Sequence, residues 1–318
     1  MRFAAIDIGS NSAKLLIAEV ANGEITRQII FRHTVTGLSK TMVNNALHPK
    51  NSALTLATII DYLSCCRDCN VERIRITATQ FARVATNAAE LLEAICLHTG
   101  YPVDIISGDE EARLTYLAVA TEFANDRILV FNIGGGSTEF IIGTPRQTDL
   151  RTSLPIGAGQ LSRDFLTSVD NININEYRNM QNNICSLIET NVIPSYFGIL
   201  PATSHQPPAA RIILSGGTGT NIAQIAIGAT IDWATQSVQT VKTPDVYRIE
   251  ELLQSCSLAN RMTLPGIEAN RADVLPAGAA IVSALLQLTS AQELFITNKS
   301  LAHGIICGMI MESVKGER

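Results

Sequence analysis

The 318-residue chain is 46% hydrophobic, 17% charged and 5% aromatic, with a formal net charge of −5. So small a charged fraction excludes a disordered chain, and the length predicts two buried cores rather than one. The acidic balance, the single Trp and the lack of a Lys/Arg run argue against a nucleic-acid partner, and no apolar stretch of roughly 18 residues is present to cross a membrane.

Taken in chain order, Arg2 to Ile8 reads as a strand, Gly9-Ser10-Asn11-Ser12 as a small-residue loop and Lys14 to Val20 as a second strand. Asn22-Gly23 is a strong hairpin signal leading into a third strand, Glu24 to Phe31. A helix near Ser52 to Cys65, a strand Arg73 to Thr77, a helix opened by Asn87, a strand Val103 to Ile106 and a helix capped by Asp109 follow. Seven cysteines (Cys65, Cys66, Cys69, Cys96, Cys185, Cys256, Cys307) are an odd, scattered set, which predicts a reducing, cytoplasmic setting. Cys66 and Cys69 form a lone CxxC without a second pair, so they read as helix-end cysteines rather than a metal site.

The opening pattern returns about 125 residues later. Ile128 to Ile133 is a strand, Gly134-Gly135-Gly136-Ser137 a loop, Thr138 to Ile142 a second strand, and Asp149 to Leu154 a third. Such loops let backbone N–H groups approach phosphate without a Cβ in the way. Two ordinary turns would explain either loop alone; their matching positions favour phosphate. A third Gly cluster, Ser215 to Asn221, follows the strand Arg211 to Leu214 and precedes a helix expected over Ile222 to Ile227, the order of an anion or nucleotide site. Pro201 to Ala210 reads as a surface loop with a solvated His205, and Leu301 to Val314 as a final helix.

In order, these three loops resemble the phosphate 1, phosphate 2 and adenosine motifs of the actin, hexokinase and Hsp70-like superfamily. The match is closest to the exopolyphosphatase/guanosine pentaphosphate phosphohydrolase (Ppx/GppA) family. It is carried by IDIGSNS at Ile6 to Ser12, TQFARVATN at Thr79 to Asn87, ISGDEEARL at Ile106 to Leu114 and GGGSTE at Gly134 to Glu139. It continues through Ser153 to Gly157, Ser215 to Asn221, and Asn270 to Asp273 leading to Ala277-Gly278. The resemblance implies an α/β fold of two ribonuclease-H-like (actin-like ATPase) domains flanking a central cleft. The expected domains are 1–125, joined by the C-terminal helix 301–318, and 126–300. It also implies a homodimer. Longer members add a helical C-terminal region that grips long polyphosphate; with the sequence stopping at Arg318, action on short polyphosphate or a nucleotide 5′-triphosphate end is expected.

Removing a terminal phosphoryl group requires offset charge, donors to the non-bridging oxygens and a base for water. By the resemblance, Glu111 is the catalytic base, and Asp7 and Glu139 face Mg²⁺ with Asn132 as a weakened third ligand. Phosphate contacts fall to Gly9, Ser10, Asn11, Ser12, Lys14 and Arg83 in the first half. In the second half they fall to Gly134, Gly135, Gly136, Ser137, Gly216, Gly217, Thr218 and Arg271. Read without the motif, Asp109-Glu110-Glu111 is favourable first-turn helix charge. Asn132 stands where the family's second phosphate loop opens with Asp, Val84 replaces a common acidic residue, and Ser300 to Gly304 departs from the family's Gly-Leu-Arg-Glu-Gly, with His303 read as structural. Two functions follow: release of terminal phosphate from polyphosphate or guanosine pentaphosphate, or a catalytically weak protein that binds guanosine penta- or tetraphosphate or polyphosphate as a regulator. A kinase of the same superfamily is the third and weakest reading, because glutamate at the Glu111 position is the hydrolase signature.

Overall fold

The computed structural model describes residues 1–123, 126–144, 147–197, 211–233 and 236–316; the expected loop with His205 lies outside them. The strands are β1 (Arg2–Ile8), β2 (Ser12–Ala21), β3 (Glu24–Val35), β4 (Arg73–Ala78), β5 (Val103–Ile105), β6 (Ile128–Ile133), β7 (Thr138–Thr144), β8 (Gln147–Leu154), β9 (Arg211–Ser215), β10 (Val238–Lys242) and β11 (Glu293–Thr297). The helices are α1 (Pro49–Asp68), α2 (Gln80–Val84), α3 (Ala88–Thr99), α4 (Gly108–Ala120), α5 (Ala158–Phe165), α6 (Ile174–Asn191), α7 (Ile193–Phe197), α8 (Gly217–Ile227), α9 (Thr243–Ser255), α10 (Leu258–Arg261), α11 (Leu275–Thr289) and α12 (Leu301–Gly316).

The chain divides into two compact units, Met1–Ala118 with Ser300–Arg318, and Val119–Lys299. In the first, the sheet order is β3-β2-β1-β4-β5, with β1, β4 and β5 parallel and β2 antiparallel to both of its neighbours. In the second the order β8-β7-β6-β9-β11 repeats that arrangement, and β10 adds an antiparallel edge. Both are ribonuclease-H-like sheets. Each begins with a hairpin because two antiparallel strands need only a short loop, whereas the parallel strands need helical crossovers.

Within the first unit, β1 is buried on both faces, so its sequence is continuously apolar up to Asp7. Ala4, Ile6 and Ile8 pack with Ile59, Tyr62 and Leu63 of α1 and Leu91 and Ile95 of α3. Phe3 and Ala5 face the other way, with Leu114 of α4 and Leu301, Ile305 and Ile306 of α12. By the two-residue period, Asp7 shares this α4/α12 face. The Asn-Gly turn forms as expected, with φ of 54° at Asn22 and 78° at Gly23. In the second unit, Leu129, Phe131 and Ile133 join Met180, Ile184, Ile222 and the apolar α11 in one core, leaving Asn132 on the opposite face of the sheet.

Several local expectations change. Ser107, not Asp109, caps α4: its hydroxyl accepts from the Glu110 N–H at 3.1 Å. Asn87 precedes α3, but its carboxamide bonds the backbone of Leu47 instead, accepting at 2.7 Å and donating at 3.2 Å. The short helix α2 lies inside the TQFARVATN segment, where no element was expected. Helix α8 starts at Gly217, five residues before the expected Ile222, because its glycines serve close packing rather than a loop. A Cβ on Gly219 would lie 2.9 Å from Leu214 Cγ.

Candidate functional site

Both hairpins close on the same turn. The Gly9 N–H donates to the Ser12 carbonyl at 2.9 Å and the Gly134 N–H to the Ser137 carbonyl at 2.8 Å. A Cβ on either glycine would sit 3.1 or 3.0 Å from that carbonyl oxygen. Among the described residues, the N–H groups of Ser10, Asn11, Gly135 and Gly136 find no acceptor. Each loop therefore presents unengaged amide donors, which phosphate oxygens can accept from. The second loop is braced from behind. Ala158 and Gln160 at the start of α5 donate to the Gly134 and Gly135 carbonyls at 2.9 and 2.8 Å, and a Cβ on Gly157 would strike the Gly136 nitrogen at 2.3 Å.

Strand register then sets the charges. Asp7 lies opposite Lys14, and the equivalent pair in the second unit is Asn132 opposite Glu139. Asp7 is 4% exposed; its Oδ2 lies 3.6 Å from Lys14 Nζ while its Oδ1 is buried without a hydrogen-bond partner. Burial pushes this carboxyl above the ordinary carboxylate range, and Lys14 pulls in the opposite direction. Asn11 Oδ1 is likewise buried and unpartnered.

Glu139 is fully buried and well held. Its Oε1 accepts from Ser137 Oγ at 2.7 Å and Ser153 Oγ at 2.9 Å, and its Oε2 from Asn132 Nδ2 at 3.4 Å. Asn132 Oδ1 in turn lies where a Cβ on Gly216 would come to 2.5 Å, and Gly216 has φ of +89°. Only glycine fits that position on both counts.

Glu111 stands in the first turn of α4 and is 7% exposed. Arg83 of α2 reaches its Oε2 with Nη1 and Nη2, each at 3.4 Å, and Nη1 also donates to the Ile106 carbonyl at 2.6 Å. Short helix α2 carries Arg83 at this position. Ser10 Oγ ties the first loop to the same helix through Gln80 Oε1 at 2.9 Å.

At the third cluster, the Arg271 guanidinium lies on the bare Cα of Gly217, where a Cβ would meet its Cζ at 2.2 Å. Its Nε donates to Glu268 Oε2 at 3.0 Å. Thr218 is buried, with its methyl against Gly278. Asn221 of the Gly cluster, with Gln224 and Arg261, which the sequence reading missed, fixes the backbone on either side of Arg271. Asn221 Oδ1 accepts from the Glu268 N–H at 2.7 Å, Gln224 Nε2 donates to the Gly266 carbonyl at 2.9 Å, and the fully buried Arg261 donates to the Ala272 carbonyl at 2.9 Å. Asn221 and Gln224 carried one usable signal, polar side chains one and two turns into an apolar helix; Arg261 carried none.

The cations expected to grip phosphate therefore each touch a carboxylate: Lys14 with Asp7, Arg83 with Glu111, Arg271 with Glu268. His303 is buried in the first unit, its Nδ1 3.2 Å from the Ser300 N–H and its Nε2 3.3 Å from Gln28 Oε1. Among the described residues no three His, Cys, Asp or Glu side chains converge on one metal position, and no helix is long and apolar enough to cross a membrane. Magnesium suits such a setting, because it commonly binds through one or two carboxylates and completes its shell with water and substrate phosphate. The orphaned Asp7 Oδ1 fits that role.

A sequence profile of the Ppx/GppA phosphatase family matches residues 16–313. Two guanosine-5′-triphosphate,3′-diphosphate pyrophosphatases from strains of Aliivibrio fischeri are each 27% identical over 318 residues, covering 98% of this chain. The chain spans 59% of the length of these curated relatives. Among solved structures, the Aquifex aeolicus PPX-GPPA enzyme is 26% identical with a TM-score of 0.79, covering 97% of this chain and 99% of its own. An exopolyphosphatase from Cytophaga hutchinsonii, 22% identical with a TM-score of 0.85 over 98% of each chain, shares the fold.

Proposed function

The chain belongs to the Ppx/GppA phosphatase family, and on that footing we propose that it is a phosphoanhydride hydrolase releasing terminal phosphate from inorganic polyphosphate or from guanosine pentaphosphate. The observation that carries this reading is the buried Glu111 carboxylate paired with the exposed Arg83, in the unit whose first loop presents unengaged amides beside the orphaned Asp7 oxygen. A carboxylate held in place by a guanidinium and largely withdrawn from bulk water is suited to take a proton from one attacking water.

In the proposed reaction Glu111 accepts that proton while the water oxygen attacks the terminal phosphorus. The bond to the bridging oxygen breaks, and orthophosphate leaves. The Ser10 and Asn11 amides and the Gly135 and Gly136 amides donate to phosphate oxygens, with Gly9, Ser12, Gly134 and Ser137 shaping the two turns. Lys14 and Arg83 add positive charge in the first unit. Gly216, Gly217, Thr218 and Arg271 form the third phosphate or nucleotide contact, with the guanidinium providing the fork that phosphate recognises. In the first unit Asp7 would hold Mg²⁺; in the second, Glu139 and Asn132 would be weaker ligands, because their mutual hydrogen bond and the two serine hydroxyls already engage Glu139. When bound, the cation offsets charge on the non-bridging oxygens. Cytoplasmic action and a homodimer belong to the same proposal.

The test is phosphate release by the purified chain with Mg²⁺, on short polyphosphate and guanosine pentaphosphate side by side. Turnover that Glu111→Gln removes supports the hydrolase. Tight binding without turnover, with turnover gained in Asn132→Asp, would move the reading to a regulatory binder.

A further inference from the structure

The helical layer of the second unit contains a cavity of about 550 Å³ between α6, α9 and α11, lined by Gln181, Cys185, Tyr247, Glu250 and Ser283 among others. That volume lies within the range of small-molecule sites. Glu250 is 8% exposed, and its Oε1 accepts from the Tyr177 hydroxyl at 3.0 Å and Gln181 Nε2 at 2.9 Å. Among the described residues it has no ion-pair partner. Ser283 is 6% exposed, and its hydroxyl is buried with no hydrogen-bond partner.

Both hydrogen bonds fall on one oxygen, which leaves the other carboxylate oxygen available to a ligand. Burial and then Glu250 hold the Tyr177 and Tyr247 hydroxyls above their ordinary range, and burial, Glu189 and Glu250 do the same to the Cys185 thiol. Each is thereby kept neutral, and none supplies a cation.

We propose that this cavity binds a small organic cation through a primary ammonium group seated on the Glu250 carboxylate, with the Ser283 hydroxyl as a second acceptor. The donor set selects among cations. Oε1 is already occupied by two hydrogen bonds, so a guanidinium could not use its bidentate fork, whereas an ammonium is a compact charge with three donors that needs one free carboxylate oxygen and neutral acceptors. One carboxylate among neutral groups is a poor cage for a divalent metal. The half-exposed Tyr247 ring offers an apolar, π-rich wall for the ligand's carbon body.

The test is calorimetric titration of the full chain, without substrate, using n-butylammonium chloride and n-butanol as its neutral analogue. This readout does not depend on the phosphatase reading. Saturable binding of the ammonium and not the alcohol is expected. Glu250→Gln keeps an acceptor for Tyr177 and Gln181 and should weaken binding about tenfold or more; Ser283→Leu, which fills the cavity with charge unchanged, should abolish it. The proposal is overturned if the ammonium does not bind saturably, if butanol binds equally, or if either variant, shown folded by circular dichroism, binds like the parent. Should Glu250→Gln fail to fold, Ser283→Leu decides alone.

Discussion

Gly304→Ala is the substitution with the most to say about how Glu111 is placed. Helix α12 crosses α4 so closely that a Cβ on Gly304 would lie 1.9 Å from the Leu114 carbonyl oxygen and 2.4 Å from its carbon. A carbon needs about 3.3 Å from a carbonyl oxygen, so the two helices must separate by about 1.4 Å. The obstacle is backbone, which cannot rotate aside as a side chain can. Leu114 is one turn beyond Glu111, so the displacement passes into the turn that carries the base. Overpacking of this kind costs about 1–3 kcal/mol in stability, and a misplacement near 1 Å at a reacting group lowers kcat on the order of 100-fold. Gly308→Ala is the matched control: its nearest neighbour is the Leu114 side-chain Cδ2 at 3.1 Å, which can give way. Steady-state phosphate release with thermal melts on both variants is the assay. A large loss of kcat in Gly304→Ala, with KM little changed and Gly308→Ala close to the parent, is expected. A folded Gly304→Ala enzyme with parental kcat would refute the claim that α12 positions Glu111.

Further outcomes follow from other contacts. Gly217→Ala must drive the Arg271 guanidinium from its seat, so it should raise KM nearly as much as Arg271→Ala, and the double variant should add little; additive losses in a double-mutant cycle would show the two act independently. Asn132→Asp puts a second carboxylate 3.4 Å from Glu139, a repulsion of about 5 kcal/mol at an effective dielectric constant of about 20. It should therefore melt lower in EDTA and gain more from Mg²⁺ than the parent; identical Mg²⁺ responses would contradict this. Burial, aided by Cys65 and Cys69, pushes the Cys66 thiol up to about 12, so at pH 8.5 only about 3 in 10,000 would be thiolate. In the native protein exposed Cys96 should react with iodoacetamide while Cys66 does not, as read by mass spectrometry.

Much of the sheet architecture was legible because the hairpin pattern occurs twice, offset by 125 residues, with Asp7 and Lys14 recurring in register as Asn132 and Glu139. Local chemistry was enough for the Asn22-Gly23 turn and for both small-residue loops, whose geometry is dictated within four residues. What stayed hidden was non-local. The glycines at 217 and 219 read as a Gly-rich turn before the helix, because sequence does not show Arg271 or Leu214 lying against them. Arg83 looked like a free cation because Glu111 is 28 positions away. The sequence of α9 gave no hint that Glu250 rather than Glu251 would be buried, since burial of one polar residue depends on three helices meeting.

The most direct test of the account is phosphate release from guanosine pentaphosphate and short polyphosphate by the parent and by Glu111→Gln, each with Mg²⁺ and each shown to fold and to bind substrate. Turnover is expected in the parent, with a loss of kcat on the order of 100-fold or more in the variant and binding retained. Equal turnover by the two proteins would contradict it, since water activation would then not depend on the carboxylate that α4 and Arg83 hold in place.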